Sequence, residues 1–218
     1  MALILALDAA LAGCSAALVE GDRVLAARAA QSDRGHAALL PPMVEAVLRE
    51  AGIAATALDA VAAVVGPGGF TGIRAALALA EGLALGISRP LIGVTTGEAL
   101  AAALPLGPRA IWTAIDNRRG RVMLERFPPG SRLAAAPPEV MAEEDLPAPD
   151  GPVAIAGDAA PAVAARLAAR GFDVLLSEER LPMAGAAARI AALRLSGALP
   201  PRPARPLYVE PPAVRRPG

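Results

Sequence analysis

Residues 66–74 read GPGGFTGIR and join a Val-rich segment to a long segment rich in Ala and Leu. The glycines in this run permit positive φ angles and a close backbone approach, and Thr71 is placed to be the N-cap of a helix. Free N–H groups at such a helix start favour an anion. The spacing matches neither the P-loop nor the dinucleotide-binding fingerprint, and the chain contains no lysine. A tight structural turn and a weak ligand site both remain open, and the candidate ligand-binding residues are Asp8, Gly68, Gly69 and Thr71.

The segments around this turn alternate between strands and helices. Apolar periodicity and turn residues predict both the type and the order of these elements. They are three strands, a helix, a strand, the helix after the turn, a strand and a short helix, over residues 2–7, 14–20, 23–30, 36–51, 60–65, 71–88, 91–94 and 97–104. This order is that of the ribonuclease H-like α/β fold of the actin and sugar-kinase superfamily. We therefore predict an α/β protein of the actin-like ATPase superfamily, built from two ribonuclease H-like domains.

The segment Pro105-Leu106-Gly107-Pro108 predicts a boundary that divides the chain into two domains, residues 1–106 and 107–218. In the second part we predict four strands over residues 110–115, 121–127, 153–156 and 173–176, and two helices over residues 160–170 and 184–195. A stretch rich in Pro, Ala and Glu, from 128 to 152, has no predicted element. The Pro-rich tail cannot form a long helix and holds one short extended piece, residues 207–210. We expect the second domain to be shorter and less regular than the first.

Composition excludes several classes of function. Apolar residues make up 55% of the 218-residue chain, which is enough for a substantial core. The formal net charge is zero, so the chain lacks the basic footprint of an independent nucleic-acid-binding protein. Cys14 is the only cysteine and His36 the only histidine, which excludes a disulfide framework and a Cys- or His-rich metal site within one chain.

The N-terminal segment has two interpretations. Leu11-Ala12-Gly13-Cys14 resembles the cleavage box of an exported lipoprotein. No basic residue precedes the apolar run, however, and Asp8 interrupts it. A buried first strand that leads into a hairpin explains the same residues. We therefore expect a cytoplasmic protein that does not associate with a membrane, with export as the less favoured alternative.

The glycine-rich run resembles the Gly-Pro-Gly-Ser-Phe-Thr-Gly-Ile/Leu-Arg signature of the TsaB/YeaZ family at every position except Gly69, where serine is usual. Other landmarks of the family have similar counterparts in the same order. They are LALD at 5–8, CS at 14–15, AL at 17–18, His36 with LLP at 39–41, EGLA at 81–84, GVTT at 93–96, AIDNRRG at 114–120 and PLYV at 206–209. The resemblance is dense over residues 1–126 and sparse beyond them, and it spans nearly the whole chain.

The resemblance implies a non-catalytic dimerization subunit. In this family the subunit binds TsaD, the catalytic paralogue that transfers a threonylcarbamoyl group to the adenosine just after the anticodon of ANN-decoding tRNAs, and the ATPase TsaE joins the pair. TsaD holds a metal through a His-x-x-x-His pattern, whose places fall here at about Thr96 and Leu100. Neither residue can replace a histidine ligand. We expect no metal or cofactor, contact with tRNA only through the complex, and a homodimer when the chain is alone.

Two of the predicted helices carry more apolar residues than one core requires. In the helix over 71–88, one apolar stripe is suited to face the sheet, yet Leu79 and Leu83 lie outside it. Small residues recur there at every fourth position, 78, 82 and 86, which permits close approach of another helix. Coverage by the preceding helix, residues 36–51, is the alternative. The family uses both helices as its subunit interface, and the predicted interface residues are Leu39, Met43, Phe70, Arg74, Leu79, Gly82 and Leu83.

An enzymatic alternative stays open, as a weakly active nucleotide-binding or acyl-transferring member of the same superfamily. Asp8 stands where kinases of the superfamily place an acidic residue on the first strand, but Ala9 and Ala10 replace the usual Gly-Thr or Gly-Ser turn. Asp116 stands at the matching place in the second part and is followed by Asn117. Phosphoryl transfer requires Mg²⁺ held by carboxylates and donors around the phosphates, which two isolated aspartates do not supply.

Three smaller features also have two interpretations each. Pro41-Pro42 indicates either a kink or a later start of the helix over 36–51. His36 is predicted to cap that helix or to lie in the interface. The arginines of one hairpin tip either touch RNA or form a solvated turn; they are Arg118, Arg119 and Arg121.

Overall fold

Two five-stranded mixed sheets form the two halves of the molecule, and the computed structural model describes residues 1–210. The first sheet has the order β3-β2-β1-β4-β5, with strands at Leu3–Asp8 (β1), Cys14–Glu20 (β2), Arg23–Ala30 (β3), Ala60–Val64 (β4) and Leu91–Val94 (β5). The second has the order β10-β9-β6-β7-β8, with strands at Ala110–Asp116 (β6), Val122–Phe127 (β7), Glu139–Met141 (β8), Val153–Ala156 (β9) and Val174–Leu176 (β10). The α/β class predicted from the sequence is confirmed.

The second sheet repeats the topology of the first. Strand β1 pairs antiparallel with β2 and parallel with β4, and β6 pairs in the same way with β7 and β9. The outer strands repeat as well, because β3 and β8 extend the antiparallel side while β5 and β10 extend the parallel side. Both halves therefore have the ribonuclease H-like arrangement predicted from the order of the elements.

Five α-helices are described, at His36–Ala51 (α1), Phe70–Gly86 (α2), Thr96–Ala103 (α3), Ala160–Ala169 (α4) and Ala184–Leu195 (α5). Helices α1 and α2 lie side by side against the first sheet, and α5 packs on the same strands from the other face. The N–H of Ala184 donates to the Ser15 hydroxyl at 3.0 Å, which fixes the start of α5 on β2. With helices on both faces, the central strands β1 and β4 are buried along their whole length.

Helix α5 comes from the second half of the sequence but contributes to the core of the first sheet. Helix α3 lies between α5 and the second sheet, and seven of its eight residues are buried. The two halves of the molecule are therefore connected through a shared helical layer. The division of the chain at residues 106 and 107 stays a prediction.

The predicted bounds coincide with the structure for β2, β3, β5, β9, α1 and α5. One local prediction, the N-cap at Thr71, is wrong, and two alternatives left open for α1 are excluded, while a kink at Pro41-Pro42 and an interface role for His36 stay predictions. Helix α2 begins at Phe70 with Gly69 as its N-cap, so Thr71 lies in the first turn and caps nothing. Helix α1 runs from His36 through both Pro41 and Pro42, so its start is not delayed, and His36 makes no capping hydrogen bond.

The segment from 128 to 152 contains the short strand β8 and a 3₁₀ turn at Glu143–Asp145, which composition did not predict. The predicted extended piece at 207–210 forms no strand. Instead the N–H of Leu207 donates to the carbonyl of Val65 at 2.8 Å, which holds the tail against the end of β4. Residues 211–218, the end of the predicted Pro-rich tail, lie outside the described residues. In the part of the chain from 1 to 210, no helix is both long and apolar enough to cross a bilayer.

Candidate interaction surface and intersheet cleft

The glycine-rich turn packs directly on the chain that leaves β1. The N–H of Gly69 donates to the carbonyl of Ala10 at 2.7 Å. A Cβ at Gly68 would lie 2.1 Å from the Ala10 oxygen, and a Cβ at Gly72 would lie 2.0 Å from the Ala9 oxygen. Because real Cβ atoms do not come this close to backbone oxygens, only glycine fits at these positions. The contacts favour the structural-turn interpretation of this run.

A cleft of about 670 Å³ lies between the two sheets beside this turn. Gly68, Gly69 and Thr71, three of the candidate ligand-binding residues, line it together with the hairpin tip of the second sheet. The fourth candidate, Asp8, does not line this cleft. Its side chain is buried and accepts a hydrogen bond from the N–H of Ala10 at 3.0 Å. Burial raises the pKa of the Asp8 carboxyl from 3.8 to about 7.

Asp116, at the matching end of β6, is also engaged within the chain. One of its carboxylate oxygens accepts from the backbone N–H of Arg118 at 2.7 Å, the same two-residue turn that Asp8 forms with Ala10. The Arg118 guanidinium lies 3.8 Å from Asp116 and 3.4 Å from Asp158. Burial raises the pKa of Asp158. The acids on this side of the cleft are thus paired with protein groups.

The two positions that correspond to the TsaD histidines serve internal packing. The Thr96 hydroxyl donates to the carbonyl of Pro67 at 2.6 Å and so ties α3 to the glycine-rich turn. Leu100 is fully buried in the apolar cluster between α3 and the second sheet. Within residues 1–210, no three His, Cys, Asp or Glu side chains are grouped to hold a metal ion.

A buried polar cluster around α3 was not predicted from the sequence. Glu98 and Arg194 form an ion pair at 2.6 Å, with side chains only 1% and 3% exposed. Glu98 also accepts from the N–H of Thr95, whose hydroxyl donates to Glu125 at 2.8 Å. Burial, and then the charge of Glu98, raises the pKa of Glu125 from 4.5 to about 8. A Glu on one helix and an Arg near the end of another give no sequence signal that they will meet inside the core.

Helix α2 exposes a ridge of residues spaced four apart. Phe70, Arg74, Ala78, Gly82 and Gly86 are all exposed, and a Cβ at either Gly82 or Gly86 would meet nothing within 4 Å. Leu85, beside this ridge, is 74% exposed. The opposite side of α2 is buried against the sheet, as the apolar stripe predicted. The described chain therefore leaves uncovered a face of α2 that is rich in small and apolar residues and also carries the exposed Arg74 and Glu81.

The other predicted interface residues lie on α1 and α2, two helices that contact each other. Leu79 and Leu83 on α2, and Leu39 and Met43 on α1, are half-buried and pack on the core of the first sheet. Helix α1 therefore covers part of the second apolar side of α2, as in the alternative left open by the sequence. It does not cover the ridge that begins at Phe70.

An aromatic cluster that includes the tail lies at the N-terminal end of the ridge. The Arg74 guanidinium lies 3.8 Å from the centroid of the Phe70 ring, and its Nε donates to the Tyr208 hydroxyl at 2.9 Å. The Phe70 and Tyr208 rings stack with their centroids 5.6 Å apart. Both aromatic side chains keep about half of their surface exposed. Phe70 and Arg74 were predicted for the interface, whereas Tyr208 was noted only as part of the family's tail pattern.

The three arginines at the tip of the β6–β7 hairpin differ in whether they have an acidic partner within the chain. Arg118 is paired with Asp116 and Asp158, and Arg121 lies 3.4 Å from the Glu210 carboxylate. Arg119 is exposed, and no carboxylate of residues 1–210 lies within ion-pair distance of it. Of these three arginines, only Arg119 lacks a carboxylate partner among residues 1–210.

Comparison with known proteins finds a family model and curated relatives that concern tRNA threonylcarbamoyladenosine synthesis. The family model "TsaD: tRNA N6-adenosine threonylcarbamoyltransferase" matches residues 24–168, about two thirds of the chain. The tRNA threonylcarbamoyladenosine biosynthesis protein TsaB of Escherichia coli is 40% identical over 121 residues, which cover 55% of this chain and 52% of that protein. The chain spans about half the length of the curated relatives it matches.

Solved structures resemble the whole fold. YeaZ from Pseudomonas aeruginosa is 30% identical, with a TM-score of 0.83 over 95% of this chain and 100% of that one. The activator of the 2-hydroxyisocaproyl-CoA dehydratase from Clostridium difficile is only 9% identical, with a TM-score of 0.52 over 90% of this chain and 96% of that one, and shows the fold alone. The predicted actin-like ATPase fold is thus confirmed.

Proposed function

This chain belongs to the family described by the TsaD model and, within it, to the TsaB/YeaZ proteins, and on that premise we propose that it is a non-catalytic dimerization subunit for tRNA threonylcarbamoyladenosine synthesis. Its role is to bind the TsaD-type catalytic paralogue through helices α1 and α2. A TsaE-type ATPase joins this pair, and tRNA is contacted only through the complex. Without its partner, the chain forms a homodimer through the same surface.

The exposed ridge of α2 is the observation that carries this proposal. A helix whose second face is apolar and rich in small residues needs a partner to remove that face from water. The open positions at Gly82 and Gly86 allow the backbone of another helix to approach closely. Phe70 and Leu85 add large apolar side chains on the same exposed side. A second helical pair with a similar face would bury all four together.

The side chains and backbone groups that a catalytic site would use are already engaged within the chain, which also supports a non-catalytic role. Asp8 is buried and hydrogen-bonded to its own chain, and Asp116 is paired with Arg118. The glycine-rich turn uses its glycines for contact with Ala9 and Ala10. A nucleotide-transferring enzyme would instead hold such carboxylates and N–H groups free for Mg²⁺ and phosphate.

Gly82→Glu tests the proposal most cleanly. The new side chain would point into open space, and Glu is a better helix former than Gly, so the monomer is expected to keep or slightly gain stability. The charge would be buried on association, so we expect loss of the heterodimer with the TsaD-type paralogue from the same genome, measured by size-exclusion chromatography with light scattering. Leu79→Glu is less clean, because Leu79 also packs on the core.

The matched control is Ala165→Glu, which places the same charge on an exposed position of α4. This variant is expected to form the heterodimer normally. Normal association of Gly82→Glu would contradict the proposed surface. ATP turnover by the isolated wild-type chain would instead support the enzymatic alternative.

A further inference from the structure

A second, smaller cavity of about 320 Å³ lies at the N-terminal end of the α2 ridge. We name it the Tyr208 pocket; it is lined by Pro67, Gly68, Phe70, Arg74, Asn117, Arg119, Met123 and residues 207–210. Its floor is apolar, formed by Phe70, Met123, Leu207, Tyr208 and Val209. Three separate parts of the chain build it, namely the start of α2, the β6–β7 hairpin and the tail.

The tail is fixed at both ends of this pocket. The N–H of Leu207 donates to the Val65 carbonyl at 2.8 Å, which attaches the tail to the first sheet. Glu210 accepts from the Asn117 amide at 3.0 Å and lies 3.4 Å from Arg121, which attaches it to the second sheet. Tyr208 is held between these points against Phe70 and Arg74. The pocket is therefore formed before any partner arrives, which lowers the entropic cost of filling it.

The charges at the rim of the pocket are unbalanced. Arg74 and Arg119 both border it, and neither guanidinium has a carboxylate within ion-pair distance among residues 1–210. The single acidic residue in the lining, Glu210, is already paired with Arg121. An apolar floor with two uncompensated arginines fits an apolar side chain that has a carboxylate beside it. Aromatic residues and arginines of this kind are also the residue types enriched at the energetic centres of protein interfaces.

We infer that the Tyr208 pocket receives an anchor from the TsaD-type partner, an apolar side chain followed closely by an acidic one. This inference rests on the proposed function, because the pocket continues the exposed ridge of α2 through Phe70 and Arg74. The acidic group pairs with Arg119 and Arg74, and the apolar group packs on Tyr208 and Met123. The tail thereby becomes part of the interface, although it lies more than 100 residues from α2 in the sequence.

Protein rather than RNA is the favoured occupant because few cations are free at the pocket. Strong phosphate binding needs more than two free cations, and only Arg74 and Arg119 lack a carboxylate partner there. A platform for RNA bases also needs free ring faces, and Phe70 and Tyr208 each use one face to stack on the other. The rest of the lining is mostly apolar.

Arg119→Glu tests the inference, with Arg166→Glu as the matched control. Both arginines are exposed, and Arg166 lies on α4 away from the pocket. Titration calorimetry of the full-length chain with the TsaD-type paralogue is expected to show binding weakened roughly tenfold or more by Arg119→Glu. The dependence of log Kd on log salt should also become shallower, whereas Arg166→Glu should match the wild type.

A second variant, Tyr208→Phe, keeps the ring and removes the hydroxyl that holds Arg74. It is expected to weaken the same complex about threefold to tenfold, because one hydrogen bond that positions Arg74 for the partner is lost. Wild-type affinity in both Arg119→Glu and Tyr208→Phe would overturn the inference. Weaker retention of tRNA by an otherwise normal complex would overturn it in favour of RNA, and a change confined to the homodimer would overturn it in favour of a second copy.

The proposed function is tested separately from this pocket. If Gly82→Glu abolishes the heterodimer while both Arg119→Glu and Tyr208→Phe leave its affinity unchanged, the inference fails and the dimerization role stands. If Gly82→Glu binds normally, the dimerization surface itself is wrong.

Discussion

Helices α2 and α3 distribute their side chains in opposite ways. Helix α2 exposes Phe70, Leu85 and a row of small residues to solvent. Helix α3 is almost wholly buried, yet it carries Glu98 into the core, where the carboxylate meets Arg194. Apolar groups are thus outside on one helix and charged groups are inside on the next.

The two helices differ in whether another part of the same chain pairs with or covers their unusual residues, the exposed apolar side chains of α2 and the buried Glu98 of α3. Glu98 has its counter-charge and a backbone donor within the same chain, so its burial is explained by the fold. The exposed face of α2 has no counterpart among residues 1–210. A buried charge that is paired within the chain is explained by the fold. An exposed apolar face that no other part of the described chain covers indicates a surface that binds another molecule.

Breaking the buried ion pair should have the largest effect on stability. Arg194→Met removes the closer partner of the buried Glu98 carboxylate and leaves only Arg202, 3.7 Å away, so the cost should be about 3 kcal/mol, the low end of the range for a broken buried pair. We expect the free energy of unfolding to fall by that amount in urea denaturation. The matched control is Arg109→Met, which breaks a surface pair with Asp173 at 2.8 Å and should cost about 0–1 kcal/mol. Equal losses in the two variants would show that the buried pair contributes no more than a surface one.

Glu125, beside this pair, should make stability depend on pH. Its pKa is raised from 4.5 to about 8 in the folded chain, so the folded state binds the proton more tightly than the unfolded state. Stability from this group is complete below about pH 4.5 and is lost as the pH rises towards 8, at up to about 1.4 kcal/mol per pH unit. Glu125→Gln mimics the protonated form and should remove this loss.

The comparison is best made between about pH 4.5 and 8. Asp8 also has a raised pKa, about 7, and loses stability over an overlapping range, but it is present in both proteins and its contribution cancels in the difference. Urea denaturation of the wild type and of Glu125→Gln should therefore diverge progressively as the pH rises from about 4.5 to 8. Parallel pH profiles of the two proteins would mean that Glu125 is charged in the folded chain.

The order of elements around the glycine-rich turn was predictable from the sequence because each strand and helix has its own apolar period. The bounds of α1 and β5 were predicted correctly for this reason. Thr71 was assigned to the N-cap because its side chain can accept a hydrogen bond there. In the structure the chain turns at Gly68, where a Cβ would lie 2.1 Å from the Ala10 oxygen, and Gly69 is held by Ala10 at the N-cap of α2. Contact between distant segments decided the helix start, and local propensity could not reveal it.

The candidate surface was predictable only in part, for a similar reason. The fourfold spacing of Ala78, Gly82 and Gly86 marks one helix face, and the structure leaves that face exposed. The spacing does not show that Tyr208 folds back to Arg74, because 134 residues separate them. The Glu98–Arg194 pair was missed in the same way, since its partners lie 96 residues apart.

Gly72 and Gly82 lie on the same helix, α2, but Gly72 is tightly packed and Gly82 faces open space. A Cβ at Gly72 would lie 2.0 Å from the Ala9 oxygen and 2.8 Å from the His36 ring, so Gly72→Ala must displace backbone. We expect the free energy of unfolding to fall by about 1–3 kcal/mol, as for other overpacked sites. Thermal or urea denaturation of the monomer measures the change. A neutral result would show that the contact of α2 with the end of β1 can relax.

Gly82→Ala is the matched substitution two to three turns further along α2, and its expected effect is the smallest and opposite in sign. Nothing lies within 4 Å of a Cβ there, so the monomer should gain about 1 kcal/mol from the better helix propensity of alanine. The stability of the monomer therefore does not explain the glycine at this position. If the partner helix approaches closely at Gly82, the added methyl group should weaken the heterodimer even as it stabilises the chain. A variant that gains stability and keeps full affinity would instead place the partner helix away from Gly82.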